Sequence, residues 1–182
     1  ISAHGSCGQA DAPARREAEG AHGLGARHAT DVMARTRGAA DNAVPSGNAT
    51  MADVLARLYL LTGQDGYRAK AEALIRSFPA DTPDAVANMP TLLNAFELLS
   101  GGAQVVVTGA NGERQPLLDA VLQAPGTLRV VLRSDNGGGD PSHPAFGKTT
   151  VDGKAAAYIC IDGTCKKPVT DPAALRKALD RL

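Results

Sequence analysis

From Asn48 to Leu61 the apolar positions Met51, Val54, Leu55, Leu58 and Leu61 recur at intervals of three and four, which predicts an amphipathic helix with that stripe turned inward. Gly63 follows as its C-terminal stop. A second helix is predicted over about Asp65–Phe78, with Tyr67, Ala71, Leu74, Ile75 and Phe78 on one face. The link Gly63–Gly66 is short enough to force the two into an antiparallel hairpin. Thr82 and Pro83 suit the cap and first position of a third helix, which the stripe Val86, Met89, Leu93 and Phe96 carries to about Ser100.

After Gly101-Gly102 the period changes. Gln104–Thr108 and Leu128–Arg133 are short runs of Val and Leu bracketed by Gly and Pro, and read as strands. Between them a helix is expected from about Arg114 to Leu122, with Pro116 in its first turn, where a missing N–H does no harm. Ser134–Thr150 is a polar loop, a hairpin spans Ala156–Val169, and Pro172 opens a last helix ending at Leu182. The expected fold class is mixed α and β: three helices, then a small β-α-β-β-α unit. The expected division is residues 31–101 for the helices and 102–182 for the α+β unit.

The first thirty residues differ. Ile1 and Leu24 are their only large aliphatic residues, too few to offset the entropy of ordering the segment, so a disordered tail is expected. His4, Cys7, His22 and His28 lie in it at spacings that match no ligand pattern, and no metal is expected.

Composition narrows the function classes. The formal net charge is zero, and three Phe with three Tyr offer little for base stacking, so nucleic acid is not an expected partner. The apolar runs are too short to cross a bilayer, and three cysteines do not make a secreted disulfide framework. A cytoplasmic chain without cofactor or membrane is expected.

Two motifs carry candidate chemistry. In DNAVPSGN, Asp41–Asn48, Pro45 pushes Val44 toward extended geometry, Gly47 permits a turn, and Ser46 or Asn48 can cap the helix that follows. In AAYICIDGTCKKPV, Ala156–Val169, Asp162-Gly163 is a two-residue turn signal of type I′. Such a turn makes Ile161 and Thr164 the closing pair and sets Cys160 opposite Cys165, with Cα atoms about 4.5–5.5 Å apart. Three readings of that pair stand: two reduced cysteines packed in the sheet, a reversible disulfide, or a metal ligand pair. Two further stretches carry less. Thr108–Gly112, TGANG, lacks the phosphate-loop patterns and reads as an ordinary βα turn. His143, between Ser142 and Pro144, is a lone histidine in a polar loop.

Together and in this order, the two motifs, with His143-Pro144 between them, resemble the C-terminal end of the thioredoxin domain-containing family related to spermatogenesis-associated protein 20 and the bacterial YyaL group. The resemblance runs from about Asp31 to Leu182. Members of that family carry an N-terminal thioredoxin-like domain and an (α/α)6 barrel similar to N-acylglucosamine 2-epimerases and six-hairpin glycosidases. The resemblance implies that the three helices belong to such a barrel and that the thioredoxin-like domain lies outside this chain, which would then be a fragment. It also implies that Asp41 is an acid/base or sugar-hydroxyl acceptor, with Asn42, Ser46 and Asn48 binding a small sugar. Glycosidase chemistry usually needs two carboxylates, and a partner for Asp41 would come from helices not in this chain. Two alternative readings stand beside this: a thiol-redox partner in which Cys160 and Cys165 serve or stabilise the thioredoxin-like domain outside this chain, or a structural end-piece with no activity of its own.

Overall fold

The computed structural model describes residues 38–126 and 128–182. The tail expected over Ile1–Thr30, with its histidines and Cys7, lies outside the described residues. Helices α1 (Gly47–Thr62), α2 (Asp65–Arg76), α3 (Pro83–Ala87) and α4 (Pro90–Gly101) come first. They are followed by β1 (Ala103–Thr108), α5 (Asn111–Gln123), β2 (Arg129–Ser134), β3 (Ala156–Ile161), β4 (Thr164–Cys165) and α6 (Pro172–Leu179). The class is mixed α and β, as expected.

The strands form one sheet in the order β2-β1-β3-β4. β1 runs parallel to β2, with Val105 opposite Val131, and antiparallel to β3, with Val105 opposite Ile159. β1 is therefore central and is covered on both faces. On one face Val105 and Val107 pack with Leu117 and Val121 of α5, Ile159 of β3 and Leu175 of α6. On the other, Val106 packs with Ala56 and Leu60 of α1, Leu98 of α4 and Leu132 of β2. Alternation along one strand thus joins the two helical layers through the sheet. A further cluster, with Ala49, Ala52, Leu74, Leu92 and Ala95, holds α1, α2 and α4 to one another.

The helices depart from expectation in three places. The third predicted helix is two, α3 and α4, because Pro90 lacks the N–H and collides with the preceding turn; the chain breaks at Met89 and restarts with Pro90 at the first helical position. In α1 the buried stripe is Ala49, Ala52, Ala56 and Leu60; of the predicted stripe, Leu55 and Leu61 pack against the core while partly buried, and Met51 and Val54 are 43% and 44% exposed. Small side chains let the neighbouring helices approach closely, so they take the inside. α5 begins three residues earlier than predicted, which moves Pro116 past the first turn to an interior position and removes a donor to the carbonyl of Gly112.

Gly63 fixes how the helical layer meets the loop after β2. It ends α1 in the left-handed region, φ 73°, and its N–H donates to the Tyr59 carbonyl at 2.8 Å. A Cβ there would lie 1.9 Å from the carbonyl oxygen of Ser142. Only glycine fits.

Candidate functional site

DNAVPSGN is a clamp between the starts of two helices. Pro45 and the extended backbone of Ser46 (ψ 148°) bring the Ser46 hydroxyl over the first turn of α1, where it accepts from the Ala49 N–H at 3.2 Å. Five residues back, Asp41 Oδ1 accepts from the Ser46 N–H at 2.8 Å. Asp41 Oδ2 accepts from the Thr91 N–H, also at 2.8 Å, and the Asp41 N–H donates to the Asn88 carbonyl at 2.8 Å. Thr91 is the second residue of α4, whose own cap position, Met89, has no side chain able to accept. Asp41 therefore serves α4 as an N-cap supplied from fifty residues away, and its charge sits where the helix dipole favours an anion.

This geometry sets the electrostatics of Asp41. Burial pushes its carboxyl pKa up, but hydrogen bonds from the Ser46 and Thr91 amides and the Thr91 hydroxyl outweigh burial and hold it below its ordinary value. A general acid at neutral pH needs the opposite shift. Asn48 is buried and its Nδ2 donates to the Gly38 carbonyl at 3.0 Å. Asn42 is exposed, and its N–H closes a tight turn onto the Val44 carbonyl. The structure thus brings Asp41, Ser46 and Asn48 into one scaffold and leaves the Asn42 side chain outside it.

The cysteine hairpin forms in the predicted register. Asp162 and Gly163 both have positive φ, 46° and 74°, and Ile161 and Thr164 close the turn. Cys160 lies opposite Cys165 and is joined to it by a disulfide, with Cα atoms 3.9 Å apart, closer than the spacing expected from the ladder alone. Cys160 is 2% exposed, whereas Cys165 is exposed. Opposed residues share a face of the sheet, so both stand in a row with Gln104, which pairs with Cys160 and donates from Nε2 to the Leu60 carbonyl at 2.8 Å. Beyond the turn, Arg68 of α2 lies over the Tyr59 ring and 3.9 Å from Asp162.

At the C-terminal ends of β1 and β2, the TGANG turn is filled by Arg114. This buried guanidinium donates from Nη1 to the Gly109 carbonyl at 2.9 Å and to Asp135 Oδ1 at 2.6 Å, and from Nη2 to Asn111 Oδ1. The turn is spanned by a side chain of the chain itself. His143 Nδ1 accepts from the Ala145 N–H at 3.1 Å and orders its own loop. Sequence reasoning missed Thr91 and the Arg114–Asp135 pair. The first has no local signal, since its partner is remote; the second was foreshadowed by an arginine at an otherwise apolar position of α5.

Among the described residues no helix is long and apolar enough to cross a membrane. No family model matches the chain, and no solved structure matches it. Three curated proteins are similar to it. Spermatogenesis-associated protein 20 of Rattus norvegicus is 29% identical over 160 residues, covering 82% of this chain and 20% of that protein. The Homo sapiens protein of the same name is 28% identical over 149 residues, covering 76% of this chain and 19% of its own length. The Mus musculus protein is 29% identical over 161 residues, with 82% and 20% covered. The chain is thus similar to spermatogenesis-associated protein 20 along most of its own length, and spans about a fifth of the length of the curated relatives it matches.

Proposed function

We propose that this chain is the C-terminal part of a cytoplasmic, thioredoxin domain-containing protein of the spermatogenesis-associated protein 20 family. On this reading residues 31–101 complete a glycosidase- or epimerase-like barrel that acts on a small sugar, and residues 102–182 form an appended α+β unit. The chain alone is an end-piece without turnover. The observation that carries the last point is Asp41: the one carboxylate of DNAVPSGN is held by two backbone amides, so the motif builds the scaffold and reacting carboxylates come from elsewhere in the parent.

The helical layer supports the barrel reading. Beside its buried stripe of Leu92, Ala95 and Leu98, α4 carries a second apolar set, Leu93 and Phe96, 40% and 52% exposed, and Val86 of α3 is exposed next to them. With Ile75, Phe78 and Met89 they line a groove of about 380 Å³. Helices apolar on two sides belong between two neighbours.

Two results are expected. Offered a panel of aldoses, N-acyl sugars and aryl glycosides, the chain gives no turnover, while the full-length parent does; turnover by the chain alone would overturn the reading. The chain also binds a hydrophobic dye at the α3–α4 groove, and Leu93→Ser with Phe96→Ser removes most of the signal while unfolding stays cooperative. A monodisperse, dye-negative monomer would argue that these helices need no further neighbour.

A further inference from the structure

The geometry points to Cys160–Cys165 as a thiol–disulfide exchange site, with Cys165 the sulfur met by an incoming dithiol and Cys160 the resolving partner. The two sulfurs differ in access: Cys160 is 2% exposed in the middle of the Gln104 row, whereas Cys165 is exposed on β4, the edge strand. An external thiol therefore meets Cys165 first. Lys166 and Lys167, which follow it in the chain, are exposed as well, so this end of the hairpin is open to solvent.

A purely structural bridge explains less. The cysteines are five residues apart in sequence, and chain-entropy stabilisation by a disulfide falls as the loop shortens. The loop is already closed without sulfur, by the Asp162-Gly163 turn and the Ile161–Thr164 pair. Further along, Ala157 and Val169 exchange backbone hydrogen bonds at 2.8 and 2.9 Å. These contacts hold the two cysteines opposite each other whether or not they are bonded, so reduction leaves the thiols placed to join again. The bridge adds little to the hairpin and can be opened without dismantling it.

A thiolate of the dithiol attacks Cys165 Sγ, the Cys160–Cys165 bond breaks, and Cys160 leaves as a thiolate that takes up a proton. The second thiol of the reductant, deprotonated, attacks the reductant's own sulfur in the mixed disulfide, closing the reductant's disulfide and releasing Cys165 as a thiolate. Two electrons pass to the protein. Run in reverse, reduced Cys165 attacks a disulfide and Cys160 resolves the intermediate.

The test uses the full chain carrying Cys7→Ser, so that only this pair responds, with dithiothreitol as the dithiol under native conditions. Intact mass is expected to rise by two hydrogens and to return on reoxidation. On the reduced native chain a limiting maleimide labels Cys165 about tenfold faster than Cys160, a difference that vanishes in denaturant. With oxidised glutathione, Cys160→Ser is trapped as a mixed disulfide at Cys165, and Cys165→Ser is not trapped; should either variant fail to fold, labelling of the unmutated pair decides. A bridge reduced only when the chain unfolds, equal labelling, or two free thiols after air oxidation would overturn the proposal. None of these outcomes depends on the sugar assay.

Discussion

Gly63→Ala is expected to lower the unfolding free energy by about 3 kcal/mol, which for a domain of this size is a fall in Tm of roughly 10 °C. Holding a non-glycine residue in the left-handed region costs about 1 kcal/mol. The remainder comes from the new methyl, which would sit 1.9 Å from the Ser142 carbonyl oxygen. That neighbour is backbone, so relief requires moving either the end of α1 or the loop after β2. Gly66→Ala is the control. Gly66 lies in α2 with open space around its Cβ position, so alanine there leaves stability unchanged or raises it by up to about 1 kcal/mol. Denaturant midpoints of the two variants check both. Equal effects at the two positions would refute the contact between the α1 terminus and the Ser142 loop.

Asp41→Ala is expected to cost about 2–4 kcal/mol. It leaves the N–H groups of Ser46 and Thr91 without their acceptor, and each such loss in a partly buried setting costs about 1–2 kcal/mol. It also strips α4 of its only N-terminal acceptor side chain among the described residues. Asp41→Asn keeps one acceptor oxygen and should lose about half as much. Equilibrium unfolding of the three proteins, with amide exchange at Thr91, measures the effect and locates it.

Local signals in the sequence reached local structure. Ser46 and Thr82 each cap the helix that follows, and Thr82 was legible because Pro83 follows it; the cap of the last helix, Asp171, was not singled out. Asp162-Gly163 specified a turn whose φ values only such a pair adopts readily, and with it the opposition of Cys160 and Cys165. What periodicity misjudged was the side of α1 that faces inward. Met51, Val54 and Leu58 have greater hydrophobicity than Ala49, Ala52 and Ala56, but helix packing rewards close approach, and the alanine stripe allows it. The break at Pro90 was readable from that residue alone and was overridden by an apolar stripe that continued across it.

The role of Asp41 lay beyond sequence. Its capping of α4 joins residues fifty positions apart, which no local spacing encodes. A carboxylate beside Asn and Ser suggests a polar binding loop equally well, and the positions of the Ser46 and Thr91 amides show what that carboxylate holds. Fold kinship does not decide between them either.

The pH dependence of that carboxyl tests the central claim. Because its folded pKa is depressed, the stability it contributes is fully present above the unfolded carboxylate value and is lost as pH falls through the lower, folded one. In an NMR titration the Asp41 carboxyl should titrate below the ordinary aspartate range, with the Ser46 and Thr91 amide resonances moving in step and the Asp41→Asn variant showing neither transition. A carboxyl that titrates at or above the ordinary value while those two amides stay still would mean that Asp41 is not the clamp described here and is free to act on a substrate.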